Sequence, residues 1–279
     1  MNYDAKTVEG FGFEWTRFDQ TALTEKELRS IFESYFRLFP WSEISSDAVG
    51  FDLGCGSGRW AKLVARRVGR LHCIDASAEA LAVAQRNLVQ ETNCTFHHVS
   101  VDQMPIEDES MDFGYSLGVL HHVPDTLGAI RTCAAKLKPG APFLIYLYYA
   151  FDNRPFWFRS IWRLTNLVRK VVSHLPNRAK HLLSELIAAC VYFPLARLSA
   201  LLEKRGVAVD SIPLSAYRKR SVYSMRTDAF DRFATRLEKR FTKRQIRAML
   251  EAAGFDQIHF NELESYWCAI AHKPSSAGN

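Results

Sequence analysis

Asp52, Asp75, Asp102 and the adjacent pair His121-His122 are the residues of this chain whose types and positions could do chemistry. Asp52 lies in an apolar run, Val49-Gly50-Phe51-Asp52-Leu53, that leads straight into glycines at 54, 56 and 58. Alternating glycines let backbone come close to a ligand, because no Cβ stands in the way. Asp75 ends a second apolar run, Arg70-Leu71-His72-Cys73-Ile74. It stands roughly 20 residues beyond the glycines, the spacing at which nucleotide-binding α/β units place an acidic side chain to accept hydrogen bonds from ribose hydroxyls. Asp102 follows a third such run, Thr95 to Val99, and the two histidines follow a fourth, Met111 to Leu117. Histidine titrates near neutrality, so either ring could take a proton from an acceptor hydroxyl.

These residues need a sheet to carry them. The glycine turn is followed by Arg59 to Val68, whose apolar residues have helical spacing, so the order is strand, turn, helix. Asp125 to Leu137 has the same periodicity, with Asp125 or Thr126 as N-cap and Lys138-Pro139-Gly140 as stop. Pro142 to Tyr149 reads as a fifth strand. Thr242-Lys243-Arg244-Gln245 has capping-box spacing ahead of a helix from Ile246 to Ala253, which Gly254 closes. Phe255 to Leu263 and Tyr266 to His272 then read as two strands joined by a polar turn. Seven strands with helices between them predict a doubly wound α/β sheet. Ligands bind such sheets at the carboxyl ends of the strands, where the glycine turn, Asp75, Asp102 and His121 all fall.

The glycine spacing departs from the dinucleotide fingerprint, since Trp60 and Ala61 stand where its third glycine would be sought. Asp52-Leu53-Gly54-Cys55-Gly56-Ser57-Gly58 instead resembles the first motif of the class I S-adenosylmethionine-dependent methyltransferases. Gly118-Val119-Leu120-His121-His122-Val123-Pro124-Asp125 resembles the loop after strand four in the small-molecule subgroup that includes ubiquinone and sugar methyltransferases. The resemblance covers residues 49–150 and 242–273. It implies a seven-stranded Rossmann-like sheet with an N-terminal helical lid, S-adenosyl-L-methionine as cofactor and S-adenosyl-L-homocysteine as product. It further implies that Gly54, Cys55 and Gly56 face the amino-acid part of the cofactor, that Asp52 attracts its ammonium group, and that Asp75 with Ala76 holds the ribose. Asp102, flanked by Val101 and Gln103, would accept from the adenine amino group, and Leu117 would line the same edge. Asp112, which opens strand four, would be structural. A tight turn with no ligand is the plainer alternative for the glycines. For the histidine pair, the choice lies between a general base and mere shaping of the loop.

Outside that core the sequence says less. At 279 residues the chain can bury a full α/β core and an accessory region. The reading is 1–46 as N-terminal lid, 47–150 as cofactor-binding core, 151–241 as a basic helical cap, and 242–273 as the end of the core. Over residues 151–240, Lys and Arg number 18 against 7 Asp and Glu, a net of +11 in a chain whose net is +6. Phe156 to Lys170 puts aromatic and aliphatic residues on one helical face and cations on another, and Ala179 to Arg205 looks amphipathic too. The first reading is a cap that packs its apolar face inward and leaves a solvated basic face; a helix lying on an anionic membrane is the second. Nothing in the chain resembles an RNA-binding appendage, and no base-methylation motif follows strand four, so nucleic acid is not expected. Tyr149 and Asn153 at the start of this region, and Tyr217, Arg218 and Tyr223 in a basic stretch near its end, are candidates for an acceptor site.

The N-terminal aromatics, Phe11 to Phe18, precede a helix expected from about Thr24 to Phe39; they would either close over the cofactor or pack against the cap. Six cysteines without CxxC spacing read as reduced core residues, with no metal or disulfide framework. The first residues, Met1-Asn2-Tyr3-Asp4, do not open a signal peptide. Leu186 to Ala196 lacks charges for only 11 residues and contains Pro194, too short for a span of about 20. A cytoplasmic enzyme, touching a membrane peripherally if at all, is the resulting expectation. Its acceptor would be a small or lipid-like metabolite methylated at oxygen, the alternatives being carbon methylation of a quinone- or isoprenoid-like acceptor and a non-catalytic cofactor-binding scaffold.

Overall fold

The computed structural model describes residues 2–264 and 266–275. Seven strands form one sheet: β1 (Val49–Leu53), β2 (Arg70–Asp75), β3 (Cys94–His98), β4 (Phe113–Leu117), β5 (Pro142–Tyr146), β6 (Asp256–Phe260) and β7 (Cys268–His272). Their order is β3-β2-β1-β4-β5-β7-β6, with β7 antiparallel to both neighbours. The chain leaves β1 toward β2 on one side and returns to β4 on the other, which makes the β1–β4 junction the switch point at which ligands sit in doubly wound sheets. Phe51 and Phe113 fill the sheet's centre because each lies over a glycine of the other strand: a Cβ on Gly50 would meet the Phe113 ring at 2.3 Å, and one on Gly114 the Phe51 ring at 2.2 Å. Two larger residues there would force β1 and β4 apart.

The chain divides into two compact units. The first comprises Met1–Asp19, Arg29–Asp152 and Leu237–Asn279; the second comprises Gln20–Leu28 and Asn153–Arg236. The N-terminal segment is thus shared between them, which the boundary expected at 46 did not anticipate. In the first unit, α1 (Ala5–Arg17) is capped by Asp4, whose carboxylate accepts the Thr7 N–H at 2.8 Å. α2 (Glu25–Tyr35) leads into the aromatic residues Phe36 and Phe39, which pack edge-on against Tyr115 and Phe113 of β4. α3 (Ala61–Val64) and a 3-10 turn at Ala65–Arg67 follow the glycine loop, α4 (Ala78–Asn87) follows β2, and α5 (Thr126–Lys136) follows β4. Asp125 caps α5 through the Gly128 N–H at 2.8 Å. Asp112 holds the Val49 N–H at 2.8 Å and Lys138 at 2.6 Å, so it joins the start of β1 to the end of the α5 connection. All six cysteines are free; Cys55, Cys73, Cys133 and Cys268 are buried, Cys94 is half-buried and Cys190 is exposed.

The second unit is helical: α6 (Phe156–Val172), α7 (Asn177–Ile187), α8 (Phe193–Lys204) and α9 (Val222–Ala234). The basic stretch from Tyr217 to Arg226 begins in a 3-10 turn, Ser215–Lys219, and runs into α9, with Ser221 as its N-cap. A π-turn at Ala188–Tyr192 joins α7 to α8, so the helix continues through Pro194. The wider turn accommodates the pyrrolidine ring where an α-turn would clash with the carbonyl four residues earlier. The resulting run, Asn177–Lys204, has 28 residues and is long and apolar enough by composition to cross a membrane, longer than the 11-residue window suggested. α10 (Lys243–Ala252) returns to the first unit and starts with the capping box expected at Thr242 and Gln245.

Within the second unit, α6 carries most of its large apolar residues on an exposed face. Its inner positions include Arg169 and Val172, while Phe156, Trp157, Ile161, Leu164, Leu167, Val168 and Val171 are exposed. Arg169 is satisfied inside the unit: its guanidinium donates to the Asn166 side chain and to the Thr235 carbonyl, both at 2.8 Å. These hydrogen bonds offset part of the cost of holding a guanidinium at an interior position of the unit.

Candidate active site

The glycine loop wraps over the end of β2. Gly54, Gly56 and Gly58 take φ values of +78°, +54° and +76°, a left-handed region that costs a residue with a Cβ about 1–2 kcal/mol. The Gly54 and Cys55 N–H groups donate to the Ile74 carbonyl at 2.7 and 3.0 Å, and the Gly56 N–H donates to the Asp75 carboxylate at 2.9 Å. Asp75 also accepts the Ser77 N–H at 2.9 Å, so loop and carboxylate form one rigid corner. Burial pushes the Asp75 carboxyl above its ordinary range, and these N–H bonds pull it partly back.

Asp52 is buried one step before the loop, accepting the Tyr115 hydroxyl at 2.9 Å. Burial raises its pKa from 3.8 to about 8, with the Tyr115 bond opposing and Asp75 adding. A carboxyl in that state gains from a cation placed beside it, because the cation restores the charge that burial disfavours. Asp102 is the opposite case. It is exposed, accepts the Asn2 N–H at 2.9 Å and the Ser100 hydroxyl at 2.6 Å, and these bonds hold it at about 2. Ala76 follows Asp75 and is half-buried, Val101 is buried, Gln103 is exposed, and Leu117 ends β4 with little exposure. The carboxyl edge of β1, β2 and β4 thus gathers Asp52, the loop glycines, Cys55, Asp75, Ala76 and Leu117, with Val101, Asp102 and Gln103 following β3.

α1 belongs to the same edge. Asn2 exchanges two bonds with the Asp125 backbone, at 2.7 and 2.8 Å, besides its bond to Asp102. Gly12 faces the Ser77 hydroxyl, and the Trp15 ring lies 3.0 Å from where a Cβ on Gly56 would stand. Phe11 meets the His122 ring edge-on, with centroids 4.8 Å apart. α1 thus lies against the glycine corner and the histidine pair, through Trp15 at Gly56 and Phe11 at His122. Trp15 belongs to the aromatic stretch read from the sequence, whereas Asn2 was not singled out, since a contact made across 100 positions leaves no local signal.

The histidine pair sits in a 3-10 turn, Leu120–His122, just past β4, and both rings are buried. His122 Nδ1 lies 2.6 Å from the Leu237 carbonyl. A carbonyl can only accept, so Nδ1 carries the proton and the ring's lone pair is on Nε2. His121 stacks on Tyr148 with centroids 3.8 Å apart and touches His122 at 3.9 Å. Neither His121 nitrogen has a hydrogen-bond partner among the described residues, and burial, His122 and Arg240 together hold its pKa well below the usual 6.5. The ring is neutral at physiological pH.

Beside the pair stands an aromatic cluster that sequence reasoning missed. Tyr146, at the end of β5 opposite Leu117, lies within 5.2 Å of Tyr35 and 5.1 Å of Tyr266, centroid to centroid. Arg240 lies over the Tyr148 ring at 5.0 Å and pairs with Glu238 at 2.8 Å. The alternation of Tyr146 and Tyr148 along the strand was a usable signal; Tyr35, Tyr266 and Arg240 come from segments far apart in sequence. Of the five acceptor candidates, only Tyr149 lies in the first unit, next to this cluster. Asn153, Tyr217, Arg218 and Tyr223 belong to the second, where Tyr217 packs on Tyr192, Arg218 pairs with Glu203 at 2.9 Å, and the Tyr223 hydroxyl accepts the Gln20 N–H at 2.8 Å.

Residues 51–145 match the family model of a methyltransferase domain. The first unit carries a methyltransferase domain. Among curated relatives, a ubiquinone biosynthesis O-methyltransferase of Hydrogenovibrio crunogenus is 27% identical over 165 residues, 58% of this chain and 66% of that one. Another, from Alkalilimnicola ehrlichii, is 36% identical over 91 residues, 32% of this chain and 37% of that one. The match therefore spans just under two thirds of the first relative and little more than a third of the second. In fold, the methyltransferase domain and its surroundings resemble a solved candidate methyltransferase from Bacillus halodurans, with a TM-score of 0.51 at 13% identity over 88% of this chain and all of that one. S-Adenosylmethionine fits the residues present: a buried carboxyl raised to about 8 suits an ammonium group, and the left-handed glycines leave backbone open at the corner held by Asp75.

Proposed function

We propose that this protein methylates a hydroxyl group of a small or lipid-like acceptor, with His122 as the proton acceptor and His121 as the residue that positions it. Bound S-adenosylmethionine supplies a methyl group on a sulfonium, which an oxygen nucleophile displaces in line. The chain's part is to hold the acceptor and remove its proton. The observation that carries this reading is the Leu237 carbonyl 2.6 Å from His122 Nδ1, which fixes the tautomer whose Nε2 can accept a proton. Stacking between His121 and Tyr148 holds the neighbouring ring in place. The aromatic cluster of Tyr35, Tyr146 and Tyr266 supports a ring-containing or apolar acceptor, and the names of the relatives support oxygen as the site of methylation. Positioning supplies most of the rate, and a general base adds about 10²–10⁴-fold.

The test is transfer of label from methyl-labelled S-adenosylmethionine into host extract separated into aqueous, lipid and macromolecular fractions, with Asp75→Ala as blank. Label is expected in the aqueous or lipid fraction, and His122→Ala should reduce it about a hundredfold or more while leaving cofactor affinity intact. Label confined to macromolecules would refute the acceptor class. Equal turnover by His122→Ala across neutral and acidic pH would refute the base and favour a carbon acceptor.

A further inference from the structure

We propose that the second unit docks in the plane of an anionic lipid bilayer through the outward faces of α6 and of the α7–α8 run. This inference stands apart from the identity of the acceptor, because it rests on how these helices distribute their side chains. On α6, Trp157, Ile161, Leu164, Val168 and Val171 recur at intervals of four and three, a continuous apolar stripe, and all are exposed; Leu164 and Val171 are 66% and 68% exposed. The opposite face holds Asn166 and the hydrogen-bonded Arg169. α7 and α8 repeat the inversion. Small and polar residues, Ser184, Ala188, Ala196 and Ser199, are buried, while Leu182, Leu186, Phe193, Leu198 and Leu201 are exposed. A helix that borders water has the reverse pattern. Large apolar residues outside and small ones inside is the arrangement of helices that face lipid.

Charge selects the kind of bilayer. Arg159, Arg163 and Lys170 are exposed on α6 on the far side of Phe156 and Leu167 from the stripe, and Arg178 and Lys204 are exposed near the ends of the α7–α8 run, in a region whose net charge is +11 over residues 151–240. Cations flanking an apolar face are what an anionic headgroup layer attracts. The inner side argues for lying in the plane and against crossing it. Glu185 pairs with Arg226 at 2.6 Å and Tyr192 bonds Asp228 at 3.0 Å, so one long side of the α7–α8 run is committed to the charged helix α9. A span would carry those groups into hydrocarbon, whereas docking buries only the outer stripe. A second copy of this chain is the competing occupant, but two such faces would set their flanking cations against each other.

The experiment is co-sedimentation of the full chain with vesicles of phosphatidylcholine alone and with phosphatidylglycerol added, together with an environment-sensitive fluorophore on Cys190, the exposed cysteine, which lies between Leu186 and Phe193 on the outer face. Binding to the anionic vesicles, weakened by salt, with a blue shift of the probe and release by alkaline carbonate, is expected. Leu164→Asp and Val171→Asp should each lower the partition coefficient about tenfold without changing the unfolding midpoint or cofactor affinity; Leu182→Asp serves as an independent variant on the second helix. Three results would overturn the proposal: no binding to either vesicle, retention through alkaline carbonate, or a stable dimer that Leu164→Asp dissociates and that ignores vesicles.

Discussion

Replacing Asp52 by Asn should stabilise the ligand-free protein and weaken cofactor binding at the same time. The carboxyl's pKa rises from 3.8 unfolded to about 8 in the fold, chiefly through burial. Between those values the folded state binds a proton that the unfolded state has lost, so stability falls as pH rises, by at most about 1.4 kcal/mol per pH unit. Below the lower value both states are protonated and the effect is absent; above the higher one it is complete. From about pH 5.5 to about pH 7.5 the wild type therefore loses up to ~3 kcal/mol through this one group. Asn has no proton to lose, and its side-chain oxygen can still accept the Tyr115 hydroxyl now 2.9 Å from Asp52. The loss accumulated from about pH 4 to pH 7 is ~4 kcal/mol, so the Asp52→Asn protein should melt higher than wild type at neutral pH, by up to about 8 °C at roughly 2 °C per kcal/mol, with the two midpoints converging as pH falls toward 4. Its affinity for S-adenosylmethionine should drop more than tenfold, since the amide offers no charge to the ammonium group. Differential scanning fluorimetry across pH, with and without cofactor, reads both effects. Parallel melting curves at every pH, or a lower midpoint for the variant at neutral pH, would show that Asp52 is ionised in the fold and that burial is not what governs it.

Two further substitutions test the corner and the helix above it. Gly56→Ala places a Cβ in left-handed backbone and 3.0 Å from the Trp15 ring, so a loss of about 1–2 kcal/mol in stability and at least tenfold in cofactor affinity is expected by denaturant unfolding and calorimetry; a neutral result would mean the loop relaxes freely. Asn2→Ala removes both side-chain bonds to Asp125 and frees the segment that now donates to Asp102, so S-adenosylmethionine should bind roughly threefold tighter for a net hydrogen bond of ~0.6 kcal/mol. Weaker binding would instead show that α1 holds its place when the cofactor enters.

What was legible in the sequence, and what was not, divides along the range of the interactions involved. The strand, glycine turn and helix at 49–64, the cap at Asp125 and the capping box at Thr242 are set by residues within four positions of one another, and all were readable. The doubly wound sheet follows from their order, because right-handed crossovers leave few ways to connect such units. The Asn2–Asp102 bond, the Tyr35–Tyr146–Tyr266 cluster and the Leu237 carbonyl at His122 join residues 100 or more positions apart in most cases, and periodicity carries no record of them. The helical unit was less legible for a different reason. A 3.6-residue repeat identifies an apolar face and a polar face but is silent on which one looks inward, and the usual answer assumes that water lies on the outside. Here Arg169 satisfies its guanidinium on Asn166 and the Thr235 carbonyl, and Ser184 and Ser199 are small enough to let helices approach, so the polar faces of α6 and α7–α8 can serve as the interior. Once the interior accepts polar side chains, nothing in the fold obliges Leu164, Val171 or Leu182 to turn inward, and their place is decided by whatever medium lies outside.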